Sequence, residues 1–262
     1  MLWPKVASVR GGRYCRQMTM FAINPQLDVD ALRARFGRDG RVQIDDFLDP
    51  APARSLQQEL CGSQEWRHVI NGADKVFEIP ADEFDALDPA FTAQLDAATH
   101  RSAARGFQFQ YDSIRVPDDP AARCASARQL DRLASFLSSE PALLLFRDIA
   151  GRAAIRFADA QATRYRPRDF LTRHDDAIAG KDRLLAYVLN LVDEWRPEWG
   201  GLLSFVGEGD RVAESYVPRF NSLSLFAVGQ QHFVGAVADY APAPRISVTG
   251  WLRSSVPGKA GG

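Results

Sequence analysis

The stretch Leu184–Val192 reads LLAYVLNLV; Asp193-Glu194-Trp195-Arg196-Pro197-Glu198-Trp199-Gly200-Gly201 follows, and then Leu202–Val206 reads LLSFV. Two short apolar runs split by a loop carrying proline and a glycine pair predict strand, loop, strand. The pattern extends in both directions. Ile155–Tyr165 precedes it, and Arg211–Val217, Ser222–Phe226, His232–Val237 and Arg245–Leu252 follow, each set off by Gly, Pro or Asn. Short strands at such close spacing predict a β-sandwich or barrel.

Upstream the character is different. Asp28–Arg38 carries Val29, Leu32 and Phe36 on one face with Gly40 beyond, the pattern of an N-capped amphipathic helix stopped by glycine. Arg41–Leu48 alternates as a strand, and Asp49-Pro50 opens a helix running to Leu60. Trp66–Ile70 and Lys75–Ile79 flank Asn71-Gly72 as a hairpin. Glu83–Arg105 and Ser126–Ala150 read as helices, the second broken at Pro141. Between them Phe107–Val116 places Phe107, Phe109 and Tyr111 on one face, and Pro117–Pro120 reads as a loop. The ribbon 107–116 is compatible with a lid, a peptide-pairing edge or one more core strand.

Composition narrows the function classes. With 262 residues, net charge −1 and 25% charged residues, no bulk field exists for nucleic acid or an anionic membrane, so neither partner is expected. Lys5, Arg10, Arg13 and Arg16 precede any acid, which marks residues 1–23 as a basic extension expected to be disordered; 257–262 reads as a flexible tail. The three cysteines are scattered and lack metal spacing, so a reducing compartment, the cytoplasm, is expected. Cys61 and Cys124 read as inert thiols, and His68 and His100 receive no role.

The remaining histidines carry the chemistry. His174-Asp175-Asp176 is an H-x-D unit, and His232 lies 58 residues later inside a predicted strand. In extended backbone, i and i+2 face the same way, so His174 and Asp176 can ligate one ion. With His232 they make the two-imidazole, one-carboxylate set that leaves one face of an octahedral iron open. A solvated His-Asp turn fits the triplet as well. Arg245 alternates with Ser247 and Thr249 along a predicted strand. An inward-facing arginine needs an anion, although pairing with a surface acid at the strand end is equally compatible with the pattern.

Taken in order, these segments resemble a known family. Tyr165-Arg166-Pro167-Arg168-Asp169-Phe170-Leu171, His174-x-Asp176, Trp199-Gly200-Gly201-Leu202-Leu203-x-Phe205, Asn221-x-Leu223-x-Leu225-Phe226, His232-x-x-Gly235-x-Val237 and Arg245-x-Ser247-x-x-Gly250-Trp251-Leu252 are similar to the 2-oxoglutarate and Fe(II)-dependent oxygenases of the prolyl 4-hydroxylase group. The resemblance implies an α+β fold: a double-stranded β-helix, or jelly-roll barrel, over 151–256, packed on a mainly helical support at 24–150.

By the same resemblance His174, Asp176 and His232 bind Fe(II), Arg245 binds the distal carboxylate of 2-oxoglutarate, and Tyr165 and Ser247 hydrogen-bond that cosubstrate. O2 is the co-oxidant and ascorbate a reductant. The implied reaction is a dioxygenase's: hydroxylation of a prolyl residue of a protein, with 2-oxoglutarate leaving as succinate and CO2. Hydroxylation of free proline or another small molecule, or a non-catalytic metal-binding scaffold, are the alternatives. The intact Asp176 favours hydroxylation over halogenation, and no catalytic base is assigned. Arg168, where the family often has glycine, and Leu202, where an acid is frequent, depart from the pattern. Trp195, Trp199, Asn190 and Tyr111 are expected near the substrate at the barrel mouth; for each tryptophan, capping the core is the competing reading.

Overall fold

The structure, a computed structural model, describes residues 21–72 and 75–256. The expected tail at 257–262 and most of the basic extension lie outside the described residues. Residues 21–23 of that extension belong to the fold: Phe21 is buried and Ile23 bridges to Leu48.

The helices are α1 (Val29–Asp39), α2 (Pro50–Gly62), α3 (Ala81–Asp85), α4 (Pro89–Ala103), α5 (Pro120–Ala125), α6 (Gln129–Leu137) and α7 (Glu140–Ala150). The strands are β1 (Arg41–Ile44), β2 (Arg67–Asn71), β3 (Val76–Pro80), β4 (Phe109–Arg115), β5 (Phe157–Ala158), β6 (Gln161–Tyr165) and β7 (Phe170–His174). After these come β8 (Arg183–Asn190), β9 (Leu203–Val206), β10 (Val212–Tyr216), β11 (Ser222–Ala227), β12 (His232–Val234) and β13 (Arg245–Arg253).

One dipeptide starts three helices. Asp49-Pro50, Asp88-Pro89 and Asp119-Pro120 each place an aspartate whose carboxylate accepts a backbone N–H of the first turn, followed by a proline that needs no intrahelical donor. The second of these divides the helix expected over Glu83–Arg105 into α3 and α4, because the residue before proline is pushed out of the helical region. The third adds α5 directly after the segment read as a loop.

Ten strands follow one antiparallel path, β1-β11-β8-β13-β6-β4-β7-β12-β9-β10, which curls into a nearly closed jelly-roll barrel; β2, β3 and β5 join from the side. Side chains bridge the two ends of the path. Arg41 Nε donates to Glu214 at 2.8 Å, and Gln43 Nε2 to the carbonyl of Val217 at 3.0 Å. The region 24–150 is therefore more than a helical support: it supplies β1, which pairs with β11, and β4, which pairs with β6 and β7.

Two cores explain the continuous apolar run of β8. Leu185, Tyr187 and Leu189 face Leu56, Leu133 and Phe146 of the helices, whereas Ala186 and Val188 face Leu203, Phe205 and Phe226 inside the barrel. A strand buried on both sides shows no polar alternation. Each fully buried side chain of this size contributes about 1.5–3 kcal/mol. β13 divides its faces the same way, with Ile246, Val248 and Leu252 toward the helices. Its other face carries Arg245, Ser247, Thr249 and Trp251 into the barrel.

Candidate active site

β7 ends at His174 and β12 begins at His232, and the two residues are register partners on adjacent antiparallel strands. Their rings lie 4.1 Å apart. Asp176 does not continue β7 as an extended i+2 neighbour. It lies beyond the strand end with φ +63°, and this left-handed turn brings its carboxylate back toward both imidazoles. His174 Nε2 is 3.5 Å from Oδ1 of Asp176, and His232 Nε2 is 3.4 Å from Oδ2.

Both rings are oriented from behind. His174 Nδ1 lies 2.9 Å from the carbonyl oxygen of Thr172, and His232 Nδ1 2.8 Å from that of Gln230. A carbonyl can only accept, so each Nδ1–H donates and each Nε2 is the atom turned into the shared space, where a metal would take its lone pair. Burial disfavours the charged form of Asp176, but hydrogen bonds from His174 and His232 outweigh it and hold the carboxyl below its usual range. One ligand atom from each residue falls within 4.8 Å of the others, which fits a divalent metal with one open face.

The same cavity, about 410 Å³, reaches Arg245. Arg245 is 2% exposed. Its Nη2 donates to Asn190 Oδ1 at 3.2 Å, its guanidinium stands 5.3 Å from the Tyr165 ring, and its buried Nε has no partner. Among the described residues no carboxylate pairs with it, so the strand-end surface acid allowed by the sequence is not there. Burial lowers its pKa, the mark of a cation paying for desolvation. A carboxylate of a bound 2-oxo acid would satisfy both the charge and the free donor. Ser247, fully buried, shares a 2.9 Å hydrogen bond with Thr163 beside it.

The start of β4, the residues just before it and the end of β6 form an aromatic wall. Phe107, Phe109, Tyr111 and Tyr165 follow one another with ring centroids 5.6, 5.4 and 5.3 Å apart, from the half-exposed Phe107 down to Arg245. Phe107 also stands 5.7 Å from the His174 ring. Of the residues expected at the mouth, Tyr111 lines the cavity and Asn190 lies behind it, holding Arg245. Trp195 and Trp199 do not line it. They pack edge-to-face at 5.6 Å, and Trp195 donates to the carbonyl of Gly200 at 2.9 Å. Gly201, at φ +63°, separates Trp195 from the Arg245 stem: a methyl there would stand 3.4 Å from each. Both tryptophans pack on the barrel core, and Trp195 backs the Arg245 stem across Gly201 from outside the cavity.

Three further lining residues, given no role by the sequence, bear on the site. Thr163 is the partner of Ser247. Arg183 stacks 3.3 Å over the Trp251 ring and donates to the carbonyl of Asp176 at 3.3 Å, with no ion pair among the described residues. Trp251 Nε1 is buried without a partner. Thr163 and Arg183 could have been found by asking which strands flank the Arg245 face, but the pairings that answer this are long-range.

Residues 160–253 match the family model described as the 2OG-Fe(II) oxygenase superfamily. This segment belongs to that superfamily. The 2OG-Fe(II) oxygenases take Fe(II), 2-oxoglutarate and O2, and the metal triad and unpaired arginine described above fit the first two. No curated protein matches the chain in sequence. Among solved structures it is similar to a prolyl-4-hydroxylase of Pseudomonas putida, at 19% identity and TM-score 0.55, covering 86% of this chain and 98% of that one. A prolyl hydroxylase of Trichoplax adhaerens, solved with a hypoxia inducible factor peptide fragment, is similar at 17% identity and TM-score 0.56, covering 86% and 89%. The alpha-ketoglutarate dependent epimerase SnoN from nogalamycin biosynthesis is similar at 15% identity and TM-score 0.52, covering 89% and 91%. All three share the 2OG-Fe(II) oxygenase fold.

Proposed function

We propose that the protein is a 2-oxoglutarate-dependent dioxygenase that hydroxylates a prolyl residue of a protein or peptide. The observation that carries the reading is Arg245, a buried cation without a counter-ion in the cavity that also holds His174, Asp176 and His232. A metal-binding scaffold has no use for such a residue, and an uncompensated buried charge costs several kcal/mol.

In this reading His174, Asp176 and His232 hold Fe(II). Arg245 would pair with the distal carboxylate of 2-oxoglutarate, with Tyr165, Ser247 and Thr163 beside it. Iron and cosubstrate together supply the oxidation of an unactivated C–H bond, with 2-oxoglutarate leaving as succinate and CO2. The protein contributes orientation and dryness. Phe107, Phe109 and Tyr111 keep water from one side of the cavity. Ascorbate would return oxidised iron to the active state.

Support for a prolyl substrate comes from the apolar mouth, where Phe107 and Ile178 are each half-exposed, and from the two prolyl hydroxylases among the similar folds. Arg183, a second cation in the cavity without an ion pair, favours one other reading: a small substrate bearing its own carboxylate, such as free proline. Incubation of the full chain with Fe(II), 2-oxoglutarate and ascorbate, with either a panel of prolyl peptides or free proline, separates the two by mass spectrometry. A 16 Da gain on a peptide proline, coupled to succinate release, is the expected result; a gain on free proline alone assigns the second reading. Succinate release with neither acceptor modified would overturn both.

A further inference from the structure

We infer that the buried ion cluster centred on Asp112, on the outer face of the sheet, positions Tyr111 and Tyr165 and so sets the fit of the 2-oxoglutarate pocket. This rests on the proposed reading of that pocket. Asp112 is fully buried. His68 Nδ1 lies 2.8 Å from its Oδ1, and Arg164 Nε and Arg166 Nε donate to its Oδ2 at 2.7 and 2.6 Å. Arg166 reaches on to Asp85, while its backbone N–H donates to Asp169 Oδ2 at 2.8 Å. His68 stacks on Phe84 of α3 at 3.9 Å, and Arg164 lies over the Trp66 ring at 4.8 Å.

The cluster joins β2, β4 and β6 at one level, because His68 and Arg164 are both register partners of Asp112. Strand alternation sends the neighbours of these residues to the other face. Tyr111, beside Asp112, and Tyr165, between Arg164 and Arg166, both enter the cavity, where their rings stand 5.3 Å apart. Tyr165 is also the register partner of Arg245 on β13. The ions therefore grip, from behind, the two strands whose tyrosines wall the arginine clamp.

Stability is a weak reason for such a cluster. Buried ion networks often contribute no more than apolar side chains of equal volume, and fixing register is their best-attested use. A one-residue slip of β4 on β6 would turn Tyr111 out of the cavity. Burial opposes the ionised form of Asp112, yet the His68 hydrogen bond and the two arginines hold its carboxyl below the usual range, so the carboxylate is present to bind all three partners.

The test uses the full chain loaded anaerobically with Mn(II) or Fe(II), and reads metal affinity, 2-oxoglutarate affinity and Tm for three variants. Asp112→Asn removes the charge. Arg164→Met keeps the stem on Trp66 and removes one grip. Leu133→Ala lowers Tm from the distant helical core. Expected are a 2-oxoglutarate affinity weakened about tenfold in Asp112→Asn and a smaller loss in Arg164→Met, as small misplacements of binding groups produce. Metal affinity should stay within about twofold throughout, and Leu133→Ala should leave 2-oxoglutarate affinity unchanged at a lower Tm. If Asp112→Asn fails to fold, Arg164→Met decides. Lower Tm with unchanged 2-oxoglutarate affinity in the cluster variants would reduce the cluster to a structural role and overturn the inference. Absence of 2-oxoglutarate binding in the unsubstituted protein would instead overturn the proposed function.

Discussion

At position 245 the fold carries a guanidinium whose only side-chain hydrogen bond among the described residues goes to Asn190. An uncompensated buried cation destabilises the protein that holds it, and a bound anion turns that cost into affinity. Arg245→Met should therefore weaken 2-oxoglutarate binding about 100-fold or more, while the ligand-free protein melts at the same or a higher temperature. Calorimetric titration and thermal melts of both proteins check the two halves. A variant that binds 2-oxoglutarate normally, or that melts well below the parent, would contradict it.

Asp159 tests a second single residue. It accepts the Trp251 backbone N–H at 2.6 Å and is 15% exposed, and burial pushes its carboxyl up to about 6. A raised carboxyl favours the protonated form in the fold, so its stabilising contribution is complete below the ordinary value of 3.8 and is lost as pH rises through 6. Relative to Asp159→Asn, the parent should lose about 2–3 kcal/mol between pH 4 and 7. Tm profiles of the two proteins should diverge across that window; parallel profiles would refute the assignment.

Elements were legible where local chemistry decides them. Asp28 and Gly40 bracket α1, and the two-faced apolar run of β8 reads directly as a buried strand. β7 was harder to read, since five residues ending in Thr-Arg-His show little alternation. Asp176 illustrates the limit: the H-x-D spacing gave the right cluster by extended geometry, whereas the backbone reaches it through a left-handed turn. Arg168, standing where the family often has glycine, likewise adopts φ +75°.

The Gly200-Gly201 loop gives an element-scale prediction. Gly200 has φ +70°, and a methyl on it would stand 2.0 Å from the carbonyl oxygen of Ala236, which is backbone and cannot swing aside. Gly200→Ala should cost about 2–3 kcal/mol. It should also displace the loop that packs Trp195 behind Arg245, lowering 2-oxoglutarate affinity more than metal affinity. A chemical denaturation curve superposable on that of the parent would contradict this.

At the scale of the molecule, barrel class and the grouping of His174, Asp176 and His232 were readable because the relevant residues recur within about one hundred positions at regular strand spacing. What escaped notice depends on long-range pairing. β4 enters the sheet between β6 and β7 from outside the matched segment 160–253. His68, given no role by the sequence, meets Asp112 across 44 residues. Trp195 and Trp199 looked like rim residues because their loop lies between two strands, yet the glycine pair folds that loop against the outside of the clamp.

The whole arrangement makes one centre from His174, Asp176, His232 and Arg245. Its most direct test is anaerobic addition of Fe(II) and then 2-oxoglutarate to the full chain, followed by visible absorption. A charge-transfer band that requires both additions, and that is lost in His174→Ala and in Arg245→Met, is the result expected. Folded, unsubstituted protein that gives no band and binds no 2-oxoglutarate would contradict it.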